Sequence, residues 1–314
     1  MILILGDLLA DLSLRIPAFP VEAGVMQRVQ YFELGPGGAT NVAIAAARLG
    51  LQVGCLGELG ADRVGDIVLD VLRAEGIDIS GVVQTPGGET PVAGVLVDVH
   101  GEPAYLGYPG KLSLRELLPE WRVRLSQAEA LFVDGWADDQ AVSRMVMAAL
   151  RAAHDAGVPT FFDPGPGNPV LDNSWHREAA MQATVLLLTE GEARRLTGEG
   201  DPLASARLLA GMGPELVIVK RDVAGCMLLR GSELRLAPGF PVEARDATAA
   251  GDSLDAAVIF AYLRRMPLPE MGILANAVGA AKVEKLGTGR NVPTRDEVES
   301  LLKRFHLDPG LLAR

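Results

Sequence analysis

The segment "EARDATAAGDSLDAAV" places a run of small residues directly before Asp252, where a long apolar helix is predicted to begin. Backbone amides at a helix N-terminus have no intrahelical acceptor, so bare amides at this point bind anions. A carboxylate at Asp252 is then placed to act on whatever the amides hold. Asp is also a common helix cap. The pattern therefore predicts either an anion site with an adjacent acid or a capped structural helix.

A second segment, "GPGGATNVAIAAARLG", combines closely spaced glycines with Asn41 at the start of an Ala-rich helix. Gly35, Gly37 and Gly38 allow a ligand to approach the backbone closely. The Asn41 carboxamide both donates and accepts hydrogen bonds, which suits a polyhydroxylated ligand. Such turns also serve only to pack a helix against a strand, and the spacing matches neither the dinucleotide fingerprint nor the P-loop.

Short aliphatic runs alternate with Ala- and Leu-rich helical patterns such as residues 140–156 and 203–212. Continuous apolar strands separated by helices are typical of a parallel sheet that is covered on both faces. We therefore predict a doubly wound, mostly parallel α/β fold in one domain over residues 1–314. The predicted strands are "ILILG", "VGCLG", "ALFVDG", "TFFDP", "TVLLLT", "ELVIVK" and "GCMLLR".

Residues 12–34 and 90–108 interrupt this alternation with a period of two, and "HGEP" within the second segment is typical of a hairpin turn. We predict a small antiparallel lid inserted in the domain, lying over the carboxyl ends of the parallel strands. An ordinary edge hairpin is the alternative.

Composition excludes several classes of protein. The 314 residues are 49% hydrophobic and carry a net charge of -11, which disfavours nucleic acid as a partner. Asp7 and Asp11 interrupt the apolar N-terminus, which we interpret as a buried strand and not a signal sequence. No uncharged apolar run approaches the roughly 20 residues needed to cross a bilayer, so we expect a cytoplasmic protein without membrane partners. Cys55 and Cys226 are expected to be buried free thiols.

The two chemistry-bearing segments together resemble the two signature motifs of the ribokinase-like (PfkB) carbohydrate kinase family, and the resemblance extends over nearly the whole chain. It implies a ribokinase-like fold and ATP-dependent phosphorylation of a hydroxyl on a sugar or sugar-like substrate. The first motif matches at Gly37, Gly38, Asn41, Ala43, Gly50 and Gly60, and the second at Asp246, Ala249, Ala250, Gly251 and Asp252.

The resemblance assigns roles to individual residues. Asp252 is implied to be the general base, and the amides of Ala249, Ala250 and Gly251 to form an anion hole for the transferring phosphoryl group. Sugar hydroxyls are implied to bind Asp11, Gly37, Gly38 and Asn41, although a cap or turn is the alternative for Asp11. The sequence departs from the family pattern at Ala247, where Thr or Ser is usual, at Ala249, where Gly is common, and at Leu254, where an aromatic residue is usual.

On the nucleotide side, the resemblance implies ATP and Mg²⁺. Glu192 is expected to organise Mg²⁺ through water, and Thr189 replaces the usual Asn of that motif. A surface position is the alternative for Lys220. A monovalent cation, K⁺, is implied at Asp246, Thr248 and Gly287. The expected nucleotide contacts are Thr189, Lys220, Asp222, Gly225 and Asn276.

The substrate itself is left open. A nucleoside kinase of the same family and a catalytically silent sugar- or nucleotide-binding regulator are alternatives to a sugar kinase. Specificity is expected to depend on the lid and on "FFDPGPGNP", which includes Asp163. Arg28, Lys111 and Arg115 are either surface residues or partners for an anionic substrate group. The family resemblance also implies a possible homodimer through the lid.

Overall fold

The computed structural model describes residues 1–136, 140–166 and 174–313. Within these ranges the chain forms thirteen strands and ten α-helices. The strands are β1 (Ile2–Leu5), β2 (Leu8–Arg15), β3 (Tyr31–Gly38), β4 (Val53–Gly60), β5 (Asp78–Thr85), β6 (Val92–Val97), β7 (Pro103–Tyr108), β8 (Ala130–Asp134), β9 (Thr160–Asp163), β10 (Val185–Thr189), β11 (Leu216–Lys220), β12 (Cys226–Arg230) and β13 (Glu233–Ala237). The helices are α1 (Ala39–Arg48), α2 (Arg63–Ala74), α3 (Pro119–Ser126), α4 (Gln140–Asp155), α5 (Trp175–Gln182), α6 (Glu190–Thr197), α7 (Pro202–Ala210), α8 (Ala250–Leu263), α9 (Leu268–Val283) and α10 (Arg295–Arg304).

Nine strands form the main sheet in the order β13-β12-β11-β10-β9-β8-β1-β4-β5. The seven strands from β11 to β5 in that order pair in parallel, and β12 and β13 add an antiparallel edge. This confirms the predicted doubly wound, mostly parallel sheet. The sequence interpretation missed β5 and β13, because these edge strands are partly exposed and lack a continuous apolar run.

Side chains of the central strand β1 alternate between two hydrophobic clusters, one on each face of the sheet. Ile2 and Ile4 join a cluster covered by α1, α2, α8, α9 and α10. Leu3 and Leu5 join a second cluster covered by α3 to α7. Both predicted free thiols, Cys55 and Cys226, are buried. Burial on both faces explains why β1 reads as an unbroken apolar run.

The remaining four strands form a second sheet in the order β3-β2-β6-β7. It consists of two antiparallel pairs, β2 with β3 and β6 with β7, joined by parallel pairing of β2 with β6. Strands β6 and β7 lie within the predicted lid segment 90–108 and are joined by the "HGEP" turn. The first lid segment, predicted as 12–34, only overlaps its strands, because β2 begins at Leu8 and β3 continues to Gly38. The small sheet is confirmed, while its closure over a substrate stays a prediction.

The order of the main sheet reverses beside β1, whose neighbours β4 and β8 come from different parts of the chain. In open α/β sheets, ligands bind at the carboxyl ends of the strands at such a reversal. A cavity of about 740 Å³ lies there, lined by Asp7, Asp134, Trp136 and residues of the segment 107–115. None of the helices in the described ranges is long and apolar enough to span a bilayer.

Candidate active site

Helix α8 begins at Ala250 with an N-terminus that no side chain caps within the described part of the chain. Its N-cap residue, Ala249, has φ 61° and ψ 10°, a left-handed conformation that is strained for a residue other than glycine. Ser253 N donates to Ala249 O at 3.0 Å and begins the helical ladder. The amides of Gly251 and Asp252 precede that bond and remain available to an anion.

Asp252 is oriented by Asn41 and does not cap the helix. Asn41 Nδ2 donates to Asp252 Oδ2 at 2.9 Å, and Gly289 N donates to Asn41 Oδ1 at 2.8 Å. One carboxamide therefore connects the start of α1, the start of α8 and the loop after α9. The structure thus brings together the segments around Asn41 and Asp252, which lie 211 residues apart in the sequence.

Burial raises the pKa of Asp252 from 3.8 to about 6, while the hydrogen bond from Asn41 opposes the rise. The charge of Asp163 also raises the pKa of Asp252, whereas the ammonium groups of Lys220 and Lys282 lower it. A carboxylate with this pKa is ionised at neutral pH and still basic enough to accept a proton.

Asp11 on β2 lies on the face of the small sheet that points toward Asp252, and only 5% of its surface is exposed. Burial raises its pKa to about 7, and the Thr288 hydroxyl partly offsets this rise. A Cβ added to Gly37 would lie 2.2 Å from the Asp11 carboxyl carbon, and one added to Gly38 would lie 2.3 Å from Asp7 O. The paired glycines are thus required so that β3 can pass directly over these acids.

Lys220 is buried, so the surface alternative is wrong for this residue. Its Nζ donates to Asp163 Oδ2 at 2.6 Å and to Asp255 Oδ2 at 3.1 Å. Burial alone would lower the pKa of Lys220, but the two carboxylates raise it. Burial raises the pKa of Asp255, whereas Lys220 keeps that of Asp163 low. A Cβ on Gly251 would lie 3.5 Å from Lys220 Nζ, which places the ammonium beside the start of α8.

Thr189 and Glu192 form a capping box at the N-terminus of α6. Thr189 Oγ1 accepts from Glu192 N at 3.2 Å, and Glu192 Oε2 accepts from Thr189 N at 2.7 Å. Burial, together with the charge of Asp163, raises the pKa of Glu192. Thr189 therefore caps α6 and holds Glu192 close enough to Lys220 for their charges to interact.

The remaining predicted nucleotide residues lie at the end of the sheet beyond β11. Asp222 begins an exposed 3-10 turn, Asp222–Ala224, and Gly225 closes it with φ 87°. A Cβ on Gly225 would meet Ala237 O at 2.2 Å. Asn276 Nδ2 donates to Ala237 O and Pro238 O at 2.9 and 3.0 Å, so both amide hydrogens join α9 to the end of β13. A contact of Asn276 with adenine stays a prediction.

Asp246 is 1% exposed and is held by the residues predicted to share a cation with it. Its Oδ1 accepts from Thr248 N at 2.9 Å and its Oδ2 from Gly287 N at 2.8 Å. The carboxylate thus ties the segment before α8 to the loop after α9.

Several site residues were not identified from the sequence. Asp255 and Lys282 are fully buried ionisable residues within apolar helices, which was a usable signal. Tyr105 is paired with Val95 on β6, and Val95 is paired with Ser13 on β2. Tyr105 therefore lies on the same face of the small sheet as Asp11, as the alternation of residues along the lid strands indicated. Of "FFDPGPGNP", Asp163 belongs to the site, and residues 167–169 lie outside the described residues.

Known proteins resemble this chain over nearly its whole length. The sequence profile described as pfkB family carbohydrate kinase matches residues 1–295. An ATP-dependent ribose-1-phosphate kinase of Halopiger xanaduensis is 31% identical, over 94% of this chain and 96% of the relative. A ribokinase of Haemophilus influenzae is 27% identical, over 96% and 97%.

Three solved structures share the fold. They are an Arabidopsis thaliana ribokinase complexed with ribose and ATP (TM-score 0.81, 22% identity, 96% of this chain and 98% of that one), an E. coli putative ribokinase II with ATP and Mg²⁺ (0.83, 22%, 96% and 99%), and a Burkholderia thailandensis nucleoside kinase with inosine (0.79, 22%, 98% and 98%). The match to the family profile over nearly the whole chain, together with these relatives, shows that the chain belongs to the pfkB family and is a carbohydrate kinase.

Proposed function

We propose that this enzyme transfers the γ-phosphoryl group of ATP to a hydroxyl of a sugar or sugar-like substrate, with Asp252 as general base. The observation that carries the proposal is the hydrogen bond from Asn41 to Asp252 at the uncapped start of α8. It fixes a basic carboxylate beside free backbone amides, which is the arrangement that phosphoryl transfer to an alcohol requires.

In this mechanism Asp252 accepts the proton of the attacking hydroxyl, and the Asn41 amide keeps the carboxylate in one orientation. The amides of Ala249, Gly251 and Asp252 stabilise charge on the transferring group. The Ala250 amide, which the family resemblance included in the anion hole, instead donates to Ala247 O at 3.2 Å. Asp11, held against Gly37, accepts hydrogen bonds from other hydroxyls, while Gly38 lets the chain turn into α1. Lys220 contributes positive charge beside Gly251.

ATP is proposed to lie over the end of the sheet formed by β10 and β11. Thr189, Lys220, Asp222 and Gly225 then face the phosphates and ribose, and Asn276 lies under the base. In the described part of the chain, no cluster of His, Cys, Asp or Glu is arranged to hold a metal directly. Mg²⁺ commonly keeps several waters and binds substrate phosphates, which fits a contact with Glu192 through water. Bound Mg²⁺ neutralises phosphate charge.

A nucleoside is the second candidate substrate, and the cavity supports it. Its volume, about 740 Å³, falls in the range of about 300–1,000 Å³ typical of sites for drug-sized ligands. Trp136 and Met145 supply apolar surface. Arg115 and Lys111 also line the cavity, although the Lys111 ammonium is already paired with Glu89. Asp7 and Asp134 line the cavity but Asp11 and Asp252 do not, so it lies beside the proposed transfer site, where it has room for a base or a phosphate attached to the sugar.

The lid also supports a proposed homodimer. Phe32 and Leu106 are 67% and 68% exposed. The strand register places them on one face with Leu12, Leu14 and Leu96, opposite the face of Asp11. A second copy would cover this apolar face.

The test measures ADP release with Mg²⁺, ATP and a panel of ribose, fructose, ribose 1-phosphate and inosine. We expect turnover with one substrate class, and a product with a new phosphate ester by ³¹P NMR. Substrate binding without ADP release across the panel would instead identify a silent regulator.

Asp252→Asn tests the base within the same assay. The amide keeps the size of the carboxylate but cannot accept the proton, so turnover should fall by on the order of 10² to 10⁴ while substrate affinities change only a few-fold. Asp246→Asn, which removes no proton acceptor, should cost less. If Asp252→Asn works at the parental rate, Asp252 is not the base.

A further inference from the structure

Lys282, in the last turn of α9, is a buried charge with no role in the mechanism above. It is 0% exposed and lies near the end of α9, which packs along α8. Among the described residues no carboxylate lies within ion-pair distance of its nitrogen. A buried ammonium lowers the stability of the fold unless polar groups compensate its charge. The groups that bond to Lys282 therefore indicate what it does.

Two backbone carbonyls are those partners. Lys282 Nζ donates to Asp246 O at 3.4 Å and to Lys285 O at 3.3 Å. The first carbonyl belongs to the segment that leads into α8, and the second to the loop that ends at Gly287. Both segments are also joined by the bond from Gly287 N to the Asp246 carboxylate at 2.8 Å.

The same junction is held by backbone bonds from Arg245 N and Asp246 N to Val283 O, at 2.7 and 3.2 Å. The carbonyls of Asp246 and Lys285 thus meet the Lys282 ammonium beside the end of α9, where two backbone amides already occupy the Val283 carbonyl and the Asp246 carboxylate lies nearby. This is the negative end of the α9 dipole, where a cation is favourable.

The charges that face Lys282 are Asp246 before α8, Asp252 on α8 and Lys285 after α9. Burial lowers the pKa of Lys282 to about 8, so the group is still an ammonium at pH 7. Its environment of carbonyl oxygens beside one carboxylate is of the kind that hard cations prefer.

We propose that the Lys282 ammonium is a built-in monovalent cation that holds the segment 246–248 and the loop 285–287 together behind the anion hole, so that turnover needs no free K⁺ or Na⁺. This inference rests on the proposed function, because it assumes that the start of α8 is the phosphoryl site. Lys282 acts through the backbone and is a positioning residue, not a catalytic one.

The first measurement needs no variant. ADP release by the parent enzyme is compared in tetramethylammonium, sodium and potassium chloride at equal ionic strength, with ATP as its Tris salt. We expect equal rates within about twofold, since a tethered group needs no free ion to complete the anion hole. A several-fold rise in potassium alone overturns the proposal.

The second measurement removes the ammonium. Lys282→Ala should lower turnover by roughly tenfold or more, and NH₄⁺, methylammonium or K⁺ should restore part of the loss by entering the space left behind. Lys285→Ala is the matched control, because its side chain lies three residues on and pairs with Glu297 at 2.9 Å. The control should respond to none of these cations.

An unchanged rate for Lys282→Ala, or a loss that no cation restores, contradicts the proposal. Lys282→Met guards against loss of folding, because it keeps the apolar stem and fills the space; it should remain folded by thermal melt and still turn over slowly. Asp252→Asn in the same buffers separates the proposed base from the proposed role of Lys282. If the turnover of that variant is lost while the parent requires K⁺, the base assignment stands and only the Lys282 inference fails.

Discussion

At the scale of single residues, the site depends on carboxylates whose pKa values the fold has shifted in different directions. Burial raises the pKa of Asp252 to about 6, while Lys220 keeps the pKa of Asp163 low. Separated values of this kind assign roles, because a basic carboxylate can accept a proton and a strongly ionised one can only provide charge.

The shift of Asp252 predicts the acid limb of the pH profile. Below about pH 6 the base is protonated, so kcat should fall as the pH decreases from 7 to 5. Folding raises this pKa from 3.8 to about 6, so ionisation of Asp252 lowers the stability as the pH rises between these values, and the full cost is present above about pH 6. At pH 7.5, Asp252→Asn should therefore unfold at a temperature no lower than the parent. Steady-state rates and thermal melts across this range check both statements. A kcat that stays flat down to pH 5 contradicts the assignment.

At the scale of elements, the paired glycines of β3 position an acid on β2. Gly37→Ala would bring its Cβ within 2.2 Å of the Asp11 carboxyl carbon and displace that group. Because displacement of the Asp11 carboxyl group affects substrate binding more than the chemical step, we expect KM for the sugar to rise by about tenfold or more with a smaller change in kcat.

Gly94→Ala is the matched control for this prediction. It lies in the same small sheet on the opposite face, where a Cβ would be 3.5 Å from Leu106, an ordinary contact. Steady-state kinetics on both variants decide the matter. Equal KM values for Gly37→Ala and the parent would show that Asp11 does not bind the sugar.

The lid itself is tested by hydrogen exchange. If the small sheet closes over the substrate, sugar and nucleotide together should slow exchange in β2, β3, β6 and β7. Helix α7, on the outer face of the main sheet, should change little. Equal protection of α7 and the lid strands would argue against closure.

Sequence patterns predicted the strands of the main sheet and of the lid wherever burial alone determined the order of apolar and polar residues. The apolar run of β1 and the alternation of the lid were sufficient, because two-sided burial and period two leave clear traces. The roles of Asp255 and Lys282 could not be predicted, since their partners Lys220 and Asp246 lie 35 and 36 residues away and meet them only after α8 and α9 pack. β13 was missed because an exposed edge strand needs no apolar run.

At the scale of the whole molecule, the apolar outer face of the lid predicts self-association. We expect light scattering after size exclusion to give twice the 33.1 kDa chain mass. Leu106→Asp and Phe32→Asp should shift the mass toward the monomer, because each buries a charge in the contact. Val123→Asp, on the exposed side of α3, is the control. A parent that is monomeric at every concentration contradicts the proposal.

The register of β2 has a consequence for how this enzyme tolerates change. Asp11 faces the site and Leu12 faces outward, and β2 is paired on both sides, with β3 and with β6. An insertion or deletion of one residue between Asp7 and Asp11 would exchange the two faces, moving the acid to the apolar surface and a leucine into the proposed substrate site. Variation that retunes specificity in this lid must therefore come from replacement of side chains, and libraries that alter its length by single residues should yield almost no active enzymes.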